Sequence, residues 1–369
     1  MFLCMLFVFA IGFLISSFLC RVICRFAERF GLVDQPGRRK IHEKPIPTDG
    51  GLAIWSAIVL PLAIGQLILW LLVWDRSNGE KFFHLPQFIE IHLSGLLQQS
   101  KKLWQLLGLG TVLVFLGVWD DIRGLNWKFR IAIQFCVAMA IVALGWRASI
   151  FLDMPIITYW LSVFWVVGLI NSFNMLDNMD GLSAGVAAIC VVFFSLIMLL
   201  HPLPATNQPQ IFLGGLMLLV LGAILGFLQH NRPPAKLFMG DSGAYFIGYL
   251  LATSTLSATY AGYDVPRQTI FVPLVLLATP LYDTISVVII RLKEKRSPFV
   301  GDKSHFSHRL VELGFTKPQT VCVVYLVTAI CCLGALLLYH TTFLGAVIIF
   351  VQTVLILILI AILETKRKR

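Results

Sequence analysis

The sequence predicts an all-α polytopic membrane protein of about eleven transmembrane helices, and three observations carry that expectation. Of the 369 residues, 58% are hydrophobic and 13% charged, with a mean hydropathy of +0.85. The apolar residues come in runs of roughly 20, the length at which a helix crosses a bilayer core. Of the 29 lysines and arginines, 23 fall in alternate connections between those runs or in the C-terminal tail, as the retention of positive charge on the cytoplasmic side requires. This composition excludes a soluble globule and a disordered or collagenous chain, and the net charge of +10 then reads as membrane orientation, with no nucleic-acid partner.

The runs fall at residues 2–22, 51–74, 103–119, 130–146, 156–173, 181–200, 211–229, 243–261, 268–290, 320–340 and 342–363. An odd number of spans puts the termini on opposite faces. The tail Lys366-Arg367-Lys368-Arg369 places the C-terminus in the cytoplasm and the N-terminus outside. The cytoplasmic connections are then 21–50, 120–130, 171–181, 230–242 and 291–319. Residues 75–102 are expected to form an extracytoplasmic loop with an interfacial amphipathic piece, because Glu80, His84, Pro86, Glu90 and His92 interrupt the apolar pattern. The parity depends on that segment not crossing.

The first 20 residues carry no charged n-region and no small-x-small site follows, so the first segment is expected to stay as a helix. The eight cysteines lie in or beside apolar runs without a CxxC pair and read as small hydrophobes. With no internal repeat or soluble domain, residues 1–369 read as a single bundle.

Chemistry is expected on the basic face, where most of the acids also lie, several within a turn of a helix end. Carboxylates beside lysines, arginines and histidines on one face of a bundle suit a divalent metal and a phosphorylated ligand held together. Asp120 and Asp121 end the third run while Lys128 and Arg130 open the next. They read either as solvated end charges or as carboxylates for metal and phosphate, with Lys128 on a diphosphate. Asn171, Asn174, Asp177 and Asp180 recur every three residues before Gly181, along one face of a helix. Interhelical hydrogen bonding or a helix cap is the plain alternative to an external ligand.

Asp241, between Gly240 and Gly243 in the loop that contains Lys236 and Phe238, is the first choice as metal ligand, and helix N-capping is its alternative. The loop with Asp302, Lys303, His305, His308 and Arg309 suits phosphates and a polar head group better than zinc, since no third soft ligand accompanies the histidines. A solvated basic loop is its alternative.

These motifs resemble the polyprenyl-phosphate N-acetylhexosamine-1-phosphate transferase family, and most closely its bacterial undecaprenyl-phosphate N-acetylglucosaminyl-1-phosphate branch. The resemblance rests on Gly31 to Pro36, Arg39 to His42, Pro45 to Gly51, Asp120-Asp121 with Lys128, Asn174 to Asp177 with Asp180-Gly181, Phe238 to Gly243, and Asp302-Lys303 with His305 and His308-Arg309, in family order along nearly the whole chain. It implies transfer of N-acetylhexosamine 1-phosphate, GlcNAc-1-phosphate first among them, from a UDP-sugar to undecaprenyl phosphate. UMP is released in this first membrane step of a cell-envelope polysaccharide pathway.

The resemblance further implies Mg2+, with Mn2+ as a substitute, held by Asp241 and Asp121. Asp120, Asp121, Lys128, Asp177 and Asp180 would be catalytic. Asp34, His42, Thr48, Asn174, Lys236, Phe238, Lys303, His305, His308 and Arg309 would bind substrate, the cytoplasmic loop 291–319 supplying the last of these. Many relatives carry a histidine where Ser307 stands. The site would face the cytoplasm from the inner membrane, and the resemblance leaves a homodimer open. A Mg-dependent intramembrane prenyltransferase would also use aspartates at short helical spacing, but it gives no reason for the histidine-basic loop. An ion-coupled transporter would carry its acids near mid-helix, whereas these lie at helix ends.

Overall fold

The computed structural model describes residues 2–34, 45–77, 87–148, 154–201, 209–258, 267–297, 302 and 304–365. His42, Lys303 and the basic tail lie outside the described residues. The chain is all-α apart from a two-stranded antiparallel ribbon of β1 (Val33–Asp34) and β2 (Ile46–Pro47), in which Val33 pairs with Pro47 and Asp34 with Ile46.

The helices are α1 (Phe2–Phe30), α2 (Gly50–Ser77), α3 (Gln87–Arg123), α4 (Trp127–Ala143), α5 (Pro155–Leu176), α6 (Leu182–Leu200), α7 (Ile211–Asn231), α8 (Gly240–Ser257), α9 (Val272–Leu276), α10 (Ala278–Lys293), α11 (Phe306–Glu312), α12 (Lys317–Leu337) and α13 (Phe343–Thr365). A 3-10 turn, Arg267–Phe271, leads into α9.

Each of the eleven expected apolar runs contains helix, yet among the described residues eight helices are long and apolar enough to cross a membrane on their own. The shortfall has three physical sources. Helix α4 has 17 residues, α8 carries Asp241 and a polar series of Ser, Thr and Tyr, and the ninth run is broken, its two parts meeting at 64°. Counting that bent pair as one span gives nine. The break follows from Pro280, which has no N–H to give the carbonyl four residues back, that of Leu276. Two thiols take over that acceptor, Cys190 at 3.3 Å and Cys332 at 3.4 Å, as a carbonyl in an apolar interior requires. Two of the cysteines read as small hydrophobes therefore donate hydrogen bonds as well.

The segment 87–102, expected as part of an extracytoplasmic loop, is helical and continuous with the rest of α3. Its residues from Leu97 onward belong to the apolar stretch that ends at Arg123.

The core is built where helices approach closely. Between α1 and α7, a methyl added at Gly12, Gly222 or Gly226 would run into the backbone of the facing helix. The same device joins α2, α3 and α8. A Cβ at Gly51 would meet the backbone of Gly243, and one at Gly117 would meet the backbone of Ser242. Gly117→Ala is therefore expected to lower the unfolding temperature in detergent and to cut activity at least about tenfold, overpacking of this kind costing about 1–3 kcal/mol. Gly108→Ala, nine residues earlier on an open part of α3, is the matched control and should be neutral.

Candidate active site

The close contacts at Gly51, Gly117 and Gly243 determine where the carboxylates lie. Asp49 stands two residues before Gly51, Asp120 and Asp121 follow Gly117 by about one turn, and Asp241 stands two residues before Gly243. Once these backbones touch, four carboxylates from three helix ends must meet. Asp121 Oδ2 accepts the Asp241 backbone N–H at 2.8 Å, next to Gly240 at φ 72°. A side chain at Gly240 would fill the space shared by Asp121 Oδ2, the Asp49 backbone and Thr48 Oγ1. Asp49 and Asp120 are buried, whereas Asp121 is exposed, so the cluster runs from the interior to an open edge.

One guanidinium serves the inner side of this cluster. Arg130 donates through Nη1 to Asp120 Oδ2 at 2.6 Å and lies 3.5 Å from Asp241 Oδ2. The Tyr245 hydroxyl donates to the same two oxygens, at 3.1 and 3.3 Å. Asp120 Oδ1 accepts the Leu125 N–H at 2.7 Å, closing the turn between α3 and α4. Asp241 Oδ1 accepts the Asn174 amide at 2.5 Å, which brings the end of α5 into the site. Asn171, one turn earlier, pairs with Gln134 of α4 at 2.6 Å and is interhelical glue. Lys128, expected on a diphosphate, is exposed and holds its ammonium 5.8 Å from the centre of the Trp127 ring.

The end of α5 joins three other loops. Asp180 Oδ2 accepts the Ala235 N–H at 3.0 Å, and Asn231 bridges the Gly181 N–H and the Leu237 carbonyl, both at 2.9 Å. The Tyr325 hydroxyl of α12 donates to the Gly181 carbonyl. Asp177, at the end of α5, has its carboxyl pushed up to about 7, by burial first and by the Asp180 charge second. It changes charge near neutrality.

The histidine loop packs on the same region. Ser307 donates to Asn178 Oδ1 at 2.6 Å, so the serine that departs from the family pattern ties this loop to the Asp177–Asp180 turn. His305 is buried and its Nδ1 lies 2.9 Å from Asp283 Oδ2, while Asp283 Oδ1 accepts the Phe306 N–H at 2.6 Å. The ring of His308 stands 6.3 Å from that of His305.

Arg309, expected to contact substrate, donates to Ser304 O at 2.6 Å and Ser286 Oγ at 2.8 Å, and its Nε forms an ion pair with the Glu364 carboxylate of α13 at 2.8 Å. Burial works against ionisation of Asp302, but hydrogen bonds from Arg291 and Ser304, together with the Arg291 charge, outweigh it. Its carboxyl is held well below the usual range.

The ribbon and the Lys236–Phe238 segment complete the face. Thr48 N–H donates to Leu32 O, and Phe238 N–H donates to Pro47 O while its own carbonyl accepts from Gly50. Asp34 lies on β1, and Lys236 is exposed beside Cys24 of α1, whose thiol donates to its carbonyl.

The structure thus brings together Asp120, Asp121, Asp241, Asn174 and Thr48, and connects Asp177, Asp180, His305 and His308 to them through neighbouring loops. Arg130, Tyr245, Asn231, Asp283 and Asp49 join the site without being marked as site residues by the sequence. The i, i+4 spacing of Asp241 and Tyr245 on α8 is a signal the sequence carries. The others become visible only when the loops meet.

Among the described residues one guanidinium contacts the cluster of Asp49, Asp120, Asp121 and Asp241, reaching Asp120 and Asp241. Both carboxylate oxygens of Asp49 are buried without a hydrogen-bond donor. Burial pushes that carboxyl up, against the pull of the neighbouring Asp121 and Ser242. No ready-made cluster of three metal-ligating side chains occurs among the described residues. The oxygen donor set fits a hard cation that takes one or two carboxylates and completes its shell with phosphate oxygens and water, which is the habit of Mg2+.

An α-helical membrane bundle with a carboxylate cluster at its helix ends defines an integral membrane enzyme, and comparison with known proteins gives its class as a transferase. The chain belongs to the polyprenyl-phosphate N-acetylhexosamine-1-phosphate transferase family, and residues 103–259 match the family described as glycosyl transferase family 4. It is 31% identical to the protein named "Probable undecaprenyl-phosphate N-acetylglucosaminyl 1-phosphate transferase" of Bacillus subtilis (strain 168), over 93% of this chain and 87% of that one. It is 29% identical to the undecaprenyl-phosphate alpha-N-acetylglucosaminyl 1-phosphate transferase of Escherichia coli (strain K12), over 86% and 80%. With the Thermotoga maritima protein of the same name, the identity is 27% over 80% and 78%.

Proposed function

We propose that the protein transfers GlcNAc 1-phosphate from UDP-GlcNAc to undecaprenyl phosphate, with Mg2+ bound at Asp121 and Asp241, on the cytoplasmic face of the membrane. The observation that carries this reading is the meeting of Asp49, Asp121, Asp241, Arg130 and Asn174 at one end of the bundle, in a chain whose relatives are named for this transfer. The same contacts support eleven spans with the N-terminus outside. The ends of α1, α3, α5, α7 and α13 and the starts of α2, α4, α6 and α8 meet on this face, where Asp283 of α10 and Tyr325 of α12 also reach, an arrangement that fits alternation across a membrane.

In the reaction a phosphate-monoester oxygen attacks the β-phosphorus of the UDP-sugar and UMP leaves, so the protein mainly neutralises charge and aligns the reactants. A second phosphate pKa of about 6 leaves the lipid phosphate largely dianionic at neutral pH, which removes the need for a strong general base. A bound Mg2+ would supply charge neutralisation at the diphosphate. Asp120 has both oxygens engaged by Leu125, Arg130 and Tyr245, which favours a positioning role over a nucleophilic one.

Asn174 orients Asp241, while Asp283 holds His305 in place for the sugar nucleotide. Ser307, bonded to Asn178, holds the histidine loop against the Asp177–Asp180 turn, a positioning task that needs no imidazole.

Purified protein given UDP-GlcNAc, undecaprenyl phosphate and Mg2+ is expected to release UMP, and to stop when the lipid or the metal is withheld. Failure with all common UDP-N-acetylhexosamines would defeat the reading. Release without lipid would make the protein a hydrolase.

A further inference from the structure

We propose that Asp49 is a further cation ligand, which with Asp121 forms an oxygen-lined seat for the divalent metal at the edge of the site away from Arg130. The inference rests on the metal-dependent reading above and extends it by giving Asp49, which that reading places at the site without a role, a ligand's part.

Asp49 has no exposed surface, and neither carboxylate oxygen receives a hydrogen bond. The Ser242 hydroxyl beside it is likewise buried without a partner. The Asp121 carboxyl is the other neighbour of Asp49, and the two acids face each other with no ion pair from a basic side chain to either among the described residues. Arg130 serves the opposite pair, Asp120 and Asp241. A buried carboxylate with no donor and no counter-charge is costly, and it is relieved by taking up a proton, by an ion pair or by a metal ion. A second acid beside it and the absence of a basic partner among the described residues favour the metal.

The backbone keeps Asp49 in this place. Its φ of 66° lies in the left-handed region, which aspartate tolerates better than most side chains. The next two amides are anchored across the site, Gly50 N–H to Phe238 O and Gly51 N–H to Met239 O, both at 2.9 Å. On the Asp121 side, Oδ2 is oriented by the Asp241 N–H. Two carboxylates in a hard oxygen environment suit Mg2+ or Mn2+, which complete their shells with water and phosphate oxygens.

The test measures Mn2+ binding to the full chain in detergent, by the loss of the free-ion electron paramagnetic resonance signal, with no substrate present. Asp49→Asn is expected to weaken Mn2+ binding about tenfold or more. Glu312→Gln, an exposed change on α11, should leave it unchanged. Wild-type affinity in Asp49→Asn, or no binding by the wild type, would overturn the proposal.

Where Asp49→Asn does not give a monodisperse protein, Asp49→Gly, which suits the positive φ at this position, takes its place. Weakened Mn2+ binding supports the seat, and wild-type affinity overturns it. Mn2+ binding that depends on Asp49 in a protein releasing no UMP would sink the proposed reaction and leave this seat standing. Normal UMP release by the wild type, with Mn2+ affinity indifferent to Asp49, would do the reverse.

Discussion

Asp241→Asn is expected to lower turnover on the order of a thousandfold while the protein still folds, a loss on the scale of removing a preorganised electrostatic group from a transition state. The substitution keeps the size of the side chain and retains a carbonyl oxygen able to accept from Asn174, as Oδ1 does now. It also keeps the backbone N–H that holds Asp121, so the turn before α8 should remain in place. What it removes is one negative charge at the point where the metal and the diphosphate are proposed to meet. UMP release, measured beside gel filtration and circular dichroism on the same sample, separates lost chemistry from lost fold. Near-normal activity in the variant would remove Asp241 as the metal ligand.

Arg130→Gln should be nearly as damaging, at roughly a hundredfold or more in kcat, although Arg130 touches no residue of the sequence motif except the two acids it bridges. Asp120 is buried, and removing one partner of a buried ion pair costs about 3–5 kcal/mol. The cost here should lie at the lower end, because Arg130 is partly exposed and Asp120 keeps its bonds from Leu125 and Tyr245.

Asp120 and Asp241 would then face each other without a counter-charge, and their separation should grow. Arg130→Lys should recover only part of the activity, since an ammonium lacks the planar fork that reaches two carboxylates at once. A lower unfolding temperature with unchanged kcat would show that Arg130 serves stability alone.

Much of the fold can be read in the sequence because burial in a bilayer writes itself as uninterrupted apolar length, and each of the eleven runs contains helix among the described residues. What apolar length does not convey is whether each helix suffices alone. The polar series of α8 is buried within the bundle, so its Ser, Thr and Tyr side chains meet protein, with Tyr249 donating to the Leu106 carbonyl. The break before α10 follows from Pro280, a visible signal, but its repair by Cys190 and Cys332 brings together residues far apart in the chain.

At the site, acids at helix ends are conspicuous because membrane proteins place them sparingly. Their counter-charges are harder to assign. Lys128 and Arg130 stand two residues apart, so on a helix they point to nearly opposite faces, and only the packing of α4 against α3 shows that Arg130 faces inward. Arg309 belongs to a loop rich in basic groups, yet its partner Glu364 lies at the far end of the sequence, where nothing local announces the contact. Asn231 and Asp283 act through backbone groups of other loops, which residue patterns do not encode.

The most direct measurement follows the β-phosphorus of the donor. With UDP-GlcNAc labelled by 32P at that position, undecaprenyl phosphate as acceptor and Mg2+ present, the account predicts that the label moves into the lipid fraction together with GlcNAc, and that unlabelled UMP appears in equal amount. Label remaining on the nucleotide as UDP while the sugar alone reaches the lipid would contradict it.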